Sequence, residues 1–282
     1  MNFLFPFVAA VLQAGSFTLD KIVLSVRRVS YKTYTGISFP LIFIFTLIIF
    51  TIFKPPFSYG LFVGNLWWLI LVSVLLTIGT NLILYRALDS DKLGEIQIVS
   101  LLSNIPLILF SALVFKDERH IVTIVAGLVA SFMIVWSHWE NHHFKILRYT
   151  LPFLLWTIFI APLRGIISKE LLMVWNPISL QLVVNGAVAL VLGLVFFKHY
   201  EKISGKAIAL LLATNVLTSV AWILYYFSYQ ISGIVYTVLL FSLQPLLVYL
   251  ASIFLLKEKL QWRKFTAFIV VLASIAIAQV MR

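Results

Sequence analysis

The chain has 282 residues, 62% of them hydrophobic and only 11% charged, with no cysteine and a formal net charge of +11. A soluble domain carries about twice that charged fraction, so lipid is the solvent this composition suits, and the lack of cysteine excludes disulfides, thiolate metal sites and cysteine nucleophiles. The basic excess sits at the ends of apolar segments, where it meets headgroups and sets topology, and this excludes a nucleic-acid partner.

Ten apolar segments follow in order, at roughly residues 3–26, 33–53, 65–85, 96–115, 121–137, 149–175, 178–197, 207–230, 234–256 and 265–281. Each is long enough to cross a bilayer, and apolar residues occupy all faces rather than one stripe. The first begins Asn2-Phe3-Leu4-Phe5, without a basic leader or a small-residue cleavage site, and reads as a spanning helix and not a removable signal. Arg27-Arg28 and Lys32 follow it. Lys54-Pro55-Pro56 ends the second, and Trp67-Trp68 anchors the start of the third at the interface. Residues 86–95 are a charged connection, and 116–120 a tight turn. The longest polar segment, 138–148, carries Glu140, His142, His143 and Lys145 and reads as a linker. The adjacent His142 and His143 are a weak metal signal. Asn176-Pro177 and Ser232-Gly233 mark later turns, and 198–206 is a polar loop.

One segment occurs twice. Residues 99–119 and 238–259 are both long apolar runs with a central proline, Pro106 or Pro245. Both carry a serine three residues earlier, Ser103 or Ser242, and both end in lysine-flanked acid, Lys116-Asp117-Glu118 or Lys257-Glu258-Lys259. The correspondence extends outward. Asp20-Lys21 matches Lys169-Glu170, Tyr34 and Ser38 match Gln181 and Asn185, and Tyr85-Arg86 matches Tyr225-Tyr226. The chain therefore divides into two five-span units, residues 1–140 and 149–282, joined through 138–148. An odd number of spans per unit forces the two units into opposite orientations, about a pseudo-twofold axis in the membrane plane. The expected fold is an all-α membrane protein of ten transmembrane helices in two inverted five-helix repeats. Each proline frees the carbonyl four residues earlier, Leu102 or Phe241. In lipid that group needs a partner, and Ser103 and Ser242 are the expected ones. The two prolines are expected to act as gating kinks.

Tyr85-x-Ala87-Leu88, then Ser103-x-x-Pro106, then Glu118-Arg119 and Gly127, resemble the repeat of the drug/metabolite transporter superfamily, and most nearly its ten-span EamA-like branch. The resemblance covers essentially the whole chain. It is weaker in the second copy, which lacks the Ala-Leu pair and the arginine after Glu258. It implies a transporter whose central cavity is lined by spans one, three, four, six, eight and nine.

Within these spans Arg164 is the most informative residue. It lies about 15 residues into span six, roughly 22 Å along a helix, and a guanidinium there costs about 2.5–3.5 kcal/mol on insertion scales. It should face water, a carboxylate or an anionic solute; snorkelling to the headgroup layer is the structural alternative. Gln13, Asn104, Trp222, Tyr225 and Gln244 are further substrate-binding candidates, because their spans should face the cavity. Asp20 and Glu95 are candidate proton carriers. The position of Asp20 near a span end favours the alternative of pairing with Arg27 or Arg28.

These readings converge on a secondary transporter, an exporter of small polar or amphipathic metabolites working by alternating access, facilitative or proton-coupled. The alternatives are a flippase for a lipid or lipid-linked sugar and, behind it, a membrane-embedded lipid-modifying enzyme. The acids are dispersed and no DDxxD, HExxH or GxSxG arrangement occurs, so an enzyme is not expected, and neither is a cofactor or a metal. No GxxxxGK[ST] loop is present, so a gradient must supply the energy. The expected setting is multi-pass in the plasma membrane, of bacterial or archaeal type, with a small solute as partner. Loops after odd-numbered spans hold most of the lysine and arginine, which places both termini outside; the resemblance implies cytoplasmic termini. A reporter fused at Arg282 decides between them.

Overall fold

The structure is a computed structural model that describes residues 3–26, 29–64, 66–90, 96, 100, 102–137, 150–196, 198, 203–256 and 262–281. Glu95, Arg27, Arg28, the linker 138–148 and Lys257-Glu258-Lys259, all invoked above, lie outside the described residues. Among those described, twelve α-helices run in the order α1 (Leu4–Leu24), α2 (Tyr31–Phe53), α3 (Leu66–Ser90), α4 (Asn104–Val114), α5 (Ile121–Ser137), α6 (Thr150–Phe159), α7 (Ala161–Leu172), α8 (Pro177–Phe196), α9 (Gly205–Ser232), α10 (Ile234–Phe241), α11 (Gln244–Leu256) and α12 (Trp262–Val280). Seven helical segments are long and apolar enough to cross a membrane, and three shorter apolar ones accompany them, at Asn104–Val114, Ile121–Ser137 and Ile234–Leu250.

Local chemistry sets many of the boundaries. Ser30 and Ser204 stand in extended conformation before α2 and α9 and accept from Thr33 N and Ala207 N, which are orphan donors of the first turn. Asn176 Oδ1 does the same for Ile178 N, 2.9 Å away, with Pro177 pre-set at the first position of α8. Lys54 closes α2 in the left-handed region. The prolines break the apolar runs that hold them. Pro162 cannot donate to Ile158, and the sixth apolar segment divides at Ile160 into α6 and α7. Pro245 cannot donate to Phe241, and Ser242-Leu243 separate α10 from α11.

The serines beside the repeated prolines do not serve the freed carbonyls. Ser103 Oγ donates to Ser100 O at 2.5 Å and Ser242 Oγ to Val238 O at 2.9 Å, not to Leu102 or Phe241. A helical serine reaches most easily back to its own preceding turn, and that geometry overrides the expected role.

The helices associate in pairs: α1 lies along α9, α2 along α8, and α5 along α12, while α3 lies against α6 and α7. Small residues permit close approach. Ala126 and Ala130 of α5 meet Val271, Ile275 and Ala278 of α12 in a cluster that also takes in Tyr236 and Leu239 of α10. Large side chains such as Leu113, Phe132 and Leu194 point outward and are more than half exposed, as lipid-facing positions require.

Gly233 joins α9 to α10 at φ 82°, where an L side chain is strained. A Cβ there would also stand 2.6 Å from Glu118 Oε1. Gly233→Ala is expected to cost about 1–3 kcal/mol, read as a lower thermal midpoint in detergent. An unchanged midpoint would show that this turn relaxes freely.

Candidate functional site

Six of the segments surround one polar cavity that offers about 100 Å³ to water-sized groups. Its wall is built from i, i+4 pairs, which stack on one helix face. Helix α3 contributes Thr77 with Asn81, and also Tyr85. Helix α8 contributes Gln181 with Asn185, and α9 contributes Thr218 with Trp222, beside Ser219 and Tyr226. Helix α1 adds Gln13 and Phe17, α2 adds Phe39 and Ile42, and α7 adds Arg164. Amides, hydroxyls and aromatic rings therefore alternate around one guanidinium, which is the single charged group among the described lining residues.

Several polar groups in the wall are held in place. Asn185 Nδ2 donates to Gln181 Oε1 at 2.9 Å and to Thr46 Oγ1 at 3.3 Å. Asn81 Nδ2 donates to Thr77 O at 2.8 Å. Gln13 is different. It is 7% exposed, and its Oε1 has no hydrogen-bond partner. A buried acceptor left open costs about 1–3 kcal/mol, and it lies in the cavity wall, where a solute donor or a water can complete it.

Arg164 sits one turn after the α6–α7 break. Its Cζ lies 5.0 Å from the centre of the Trp222 ring, within cation–π range. Among the described residues no carboxylate pairs with it; the ion pairs there belong to Lys169. Its charge is thus held by an aromatic face and the polar cavity, with both edges of the guanidinium fork uncommitted to an acid. Trp222 in turn packs against Tyr225, Tyr226 and Phe241, and Tyr226 Oη lies 3.2 Å from Ser168 Oγ.

Of the six binding candidates, the structure brings Gln13, Arg164 and Trp222 together in this cavity. Tyr225 stands behind Trp222, buried, with its hydroxyl 2.8 Å from that of Tyr229. Asn104 begins α4 and Gln244 begins α11, and neither is in the cavity lining, nor are Pro106 and Pro245. The lining comes from spans one, two, three, six, seven and eight, whereas the resemblance implied four and nine in place of two and seven. Helix α10 explains part of this: Ile234 through Leu240 are all buried, consumed by packing against α1, α4, α5 and α9. Thr77, Thr218 and Ser219 had gone unremarked. The signal that finds them is the four-residue spacing of polar groups within apolar runs.

Asp20 is not in the cavity wall. It is 2% exposed between α1, α2 and α9, and Tyr34 Oη and Thr214 Oγ1 each donate to its Oδ1 at 2.5 Å. No ion pair to Asp20 occurs among the described residues; Arg27 and Arg28, the expected partners, lie outside them. Lys21, its neighbour, donates to Leu88 O at 2.6 Å.

A second polar cluster lies at one end of the bundle. Glu118 Oε1 accepts from Lys169 Nζ at 2.5 Å and from Ile234 N at 2.6 Å, and Oε2 accepts from Val235 N at 3.0 Å. Lys169 Nζ also reaches Asp117 at 2.6 Å. The carboxylate therefore caps the first turn of α10 while neutralising a lysine at the end of α7. Arg119, next in sequence, donates to Ala112 O and Leu113 O and caps the last turn of α4.

Residues 149–279 match the EamA-like transporter family. A solved crystal structure is similar over 99% of this chain and 96% of its own length, with a TM-score of 0.79 and 14% sequence identity. At that identity the likeness speaks to the fold alone. No curated protein matches the chain by sequence.

Proposed function

We propose that this chain, a multi-pass membrane protein whose residues 149–279 carry an EamA-like transporter domain, is a secondary transporter that exports small polar metabolites bearing an anionic group. The observation that carries this reading is Arg164, an arginine without an acid partner among the described residues, facing a cavity otherwise lined by neutral amides, hydroxyls and aromatic rings. A guanidinium in such a place recognises a carboxylate or phosphate through two parallel hydrogen bonds. Trp222 holds the guanidinium plane, and Gln13 Oε1 offers an acceptor to a donor on the same solute.

The mechanism follows from the duplication. If spans n and n+5 are equivalent, the pairing of α1 with α9 has its counterpart in the pairing of α3 with α7, and α2–α8 and α5–α12 are self-related. That pattern supports two inverted repeats rocking about a shared site. The break before Pro245, between α10 and α11, supplies a jointed helix for such a motion. The family match begins at residue 149, where the second repeat is expected to start.

Purified protein in liposomes preloaded with an unlabelled carboxylate should accelerate entry of the same radiolabelled compound. A panel of amino acids, hydroxy acids and nucleotides is screened this way. Counterflow confined to anionic members is the expected result; none across the panel would sink the transport reading, and counterflow of cations alone would sink the substrate class.

A further inference from the structure

We propose that Asp20 is a proton-binding site linked to the cavity by a chain of three hydroxyls, so that its protonation is coupled to solute movement; the coupling rests on the transport reading above, whereas the proton site does not. The chain runs from Thr218, in the cavity wall, to Ser16 Oγ at 2.5 Å, then to Thr214 Oγ1 at 2.9 Å, then to Asp20 Oδ1 at 2.5 Å. Ser16, Thr214 and Thr218 are all buried, so each step is shielded from competing water.

The direction of these bonds follows from donor count. Each hydroxyl has one hydrogen. An ionised Asp20 only accepts, so Thr214 must donate to it. Ser16 must then donate to Thr214, and Thr218 to Ser16. All three O–H bonds point from the cavity toward the carboxylate. A hydronium in the cavity gives a proton to the Thr218 oxygen and becomes water; Thr218 passes its own proton to Ser16, which passes its own to Thr214, which passes its own to Oδ1. Each oxygen gains one O–H bond and loses one, the carboxylate becomes a neutral acid, and the chain is left reversed, ready to return the proton. Solute and proton thereby meet the same cavity, at Arg164 and at Thr218.

The surroundings of Asp20 suit a reversible site. Among the described residues the titratable groups facing it are phenols, Tyr34 from α2, which donates to it, and Tyr85 from α3, whose ring lies 4.7 Å from that of Tyr34 and lines the cavity. From α9 it meets only the Thr214 hydroxyl. The one cation adjoining it in sequence, Lys21, turns its ammonium to Leu88 O. A carboxylate held by hydroxyls, with no ion pair to it among the described residues, can change protonation state without breaking one there.

The test uses the full-length protein in lipid with the proton as probe. Infrared difference spectra across a pH titration should show the carbonyl stretch of a protonated carboxylic acid, and Asp20→Asn should remove it. Tyr34→Phe, which deletes one charge-assisted donor, should move the pH at which the band appears by at least about one unit. Thr218→Val should slow the exchange of that acid proton for deuterium several-fold. A band that persists in Asp20→Asn overturns the site. Should that variant not fold, Tyr34→Phe decides, and an unmoved band overturns the site equally. Exchange at the wild-type rate in Thr218→Val overturns the route. These spectra need no solute, so a failure of counterflow with the band intact counts against transport, and the reverse counts against Asp20.

Discussion

Arg164→Gln is expected to raise the KM for an anionic solute about 10- to 100-fold while leaving the protein at least as stable as the wild type. The first half follows from the loss of charge-assisted hydrogen bonds, each worth about 1.5–3 kcal/mol, with every 1.4 kcal/mol close to a factor of ten in affinity. The second half follows from the surroundings of Arg164. Among the described residues it neutralises no acid, so its removal strands no opposite charge. What the fold loses is the contact with Trp222 at 5.0 Å, about 0.5–2 kcal/mol; what it gains is relief from holding a cation among apolar helices. Arg164→Lys keeps the charge but not the planar fork, and should fall between the two. A structural arginine would behave in the opposite way, with a lower melting temperature and an unchanged KM. The measurement is therefore a pair, initial rates of counterflow and thermal unfolding on the same preparations, and a variant that loses stability but not affinity removes Arg164 from the site.

That Arg164 could be singled out from sequence, while half of the cavity could not, has a physical reason. A charge in an apolar run is costly wherever the helix turns, so its mere presence is informative. A single amide or hydroxyl is not, because Asn81, Gln181 and Ser219 have ordinary uses in helix–helix bonding. Gln230 illustrates this: it donates to the carbonyls of Leu172 and Trp175 and closes the end of α7. Only the three-dimensional register tells which polar stripe faces inward. The apolar segments themselves were easy to see, since lipid imposes length and composition directly. The interruption at Pro245 followed from the missing donor, whereas that at Pro162 was not anticipated, and the partners of the freed groups did not follow either, because a serine's nearest acceptor is its own preceding turn. The acidic end of the repeated segment was visible as a motif without its use. The family match falls on residues 149–279, the half in which the repeat motif is the weaker, with no arginine after Glu258.

The use of that acidic end yields the largest expected effect on stability. Glu118→Ala should destabilise the protein by about 3–5 kcal/mol, the range for removing one member of a buried pair. Both partners are buried, Glu118 at 4% and Lys169 at 6% exposure. The lost carboxylate also leaves the first two N–H groups of α10 without their acceptor, at Ile234 and Val235. Asp117 cannot take over, since its side chain is 65% exposed and reaches Lys169 only from the solvent side. Charge and cap are separable. In the double variant Glu118→Gln with Lys169→Met, the glutamine carbonyl can still accept from the start of α10, and no unpaired ammonium remains. Replacing a buried pair by uncharged groups is often neutral, so the double variant should recover most of the stability lost in Glu118→Ala. Thermal unfolding in one detergent, at one pH and salt concentration, provides the comparison. If the double variant melts as early as Glu118→Ala, the stability lost is that of the ion pair itself, since the double variant keeps an acceptor for the start of α10 and strands no ammonium. If it recovers, the loss in Glu118→Ala comes from the stranded Lys169 ammonium and the open first turn of α10, and uncharged groups can hold the end of α7 to the start of α10.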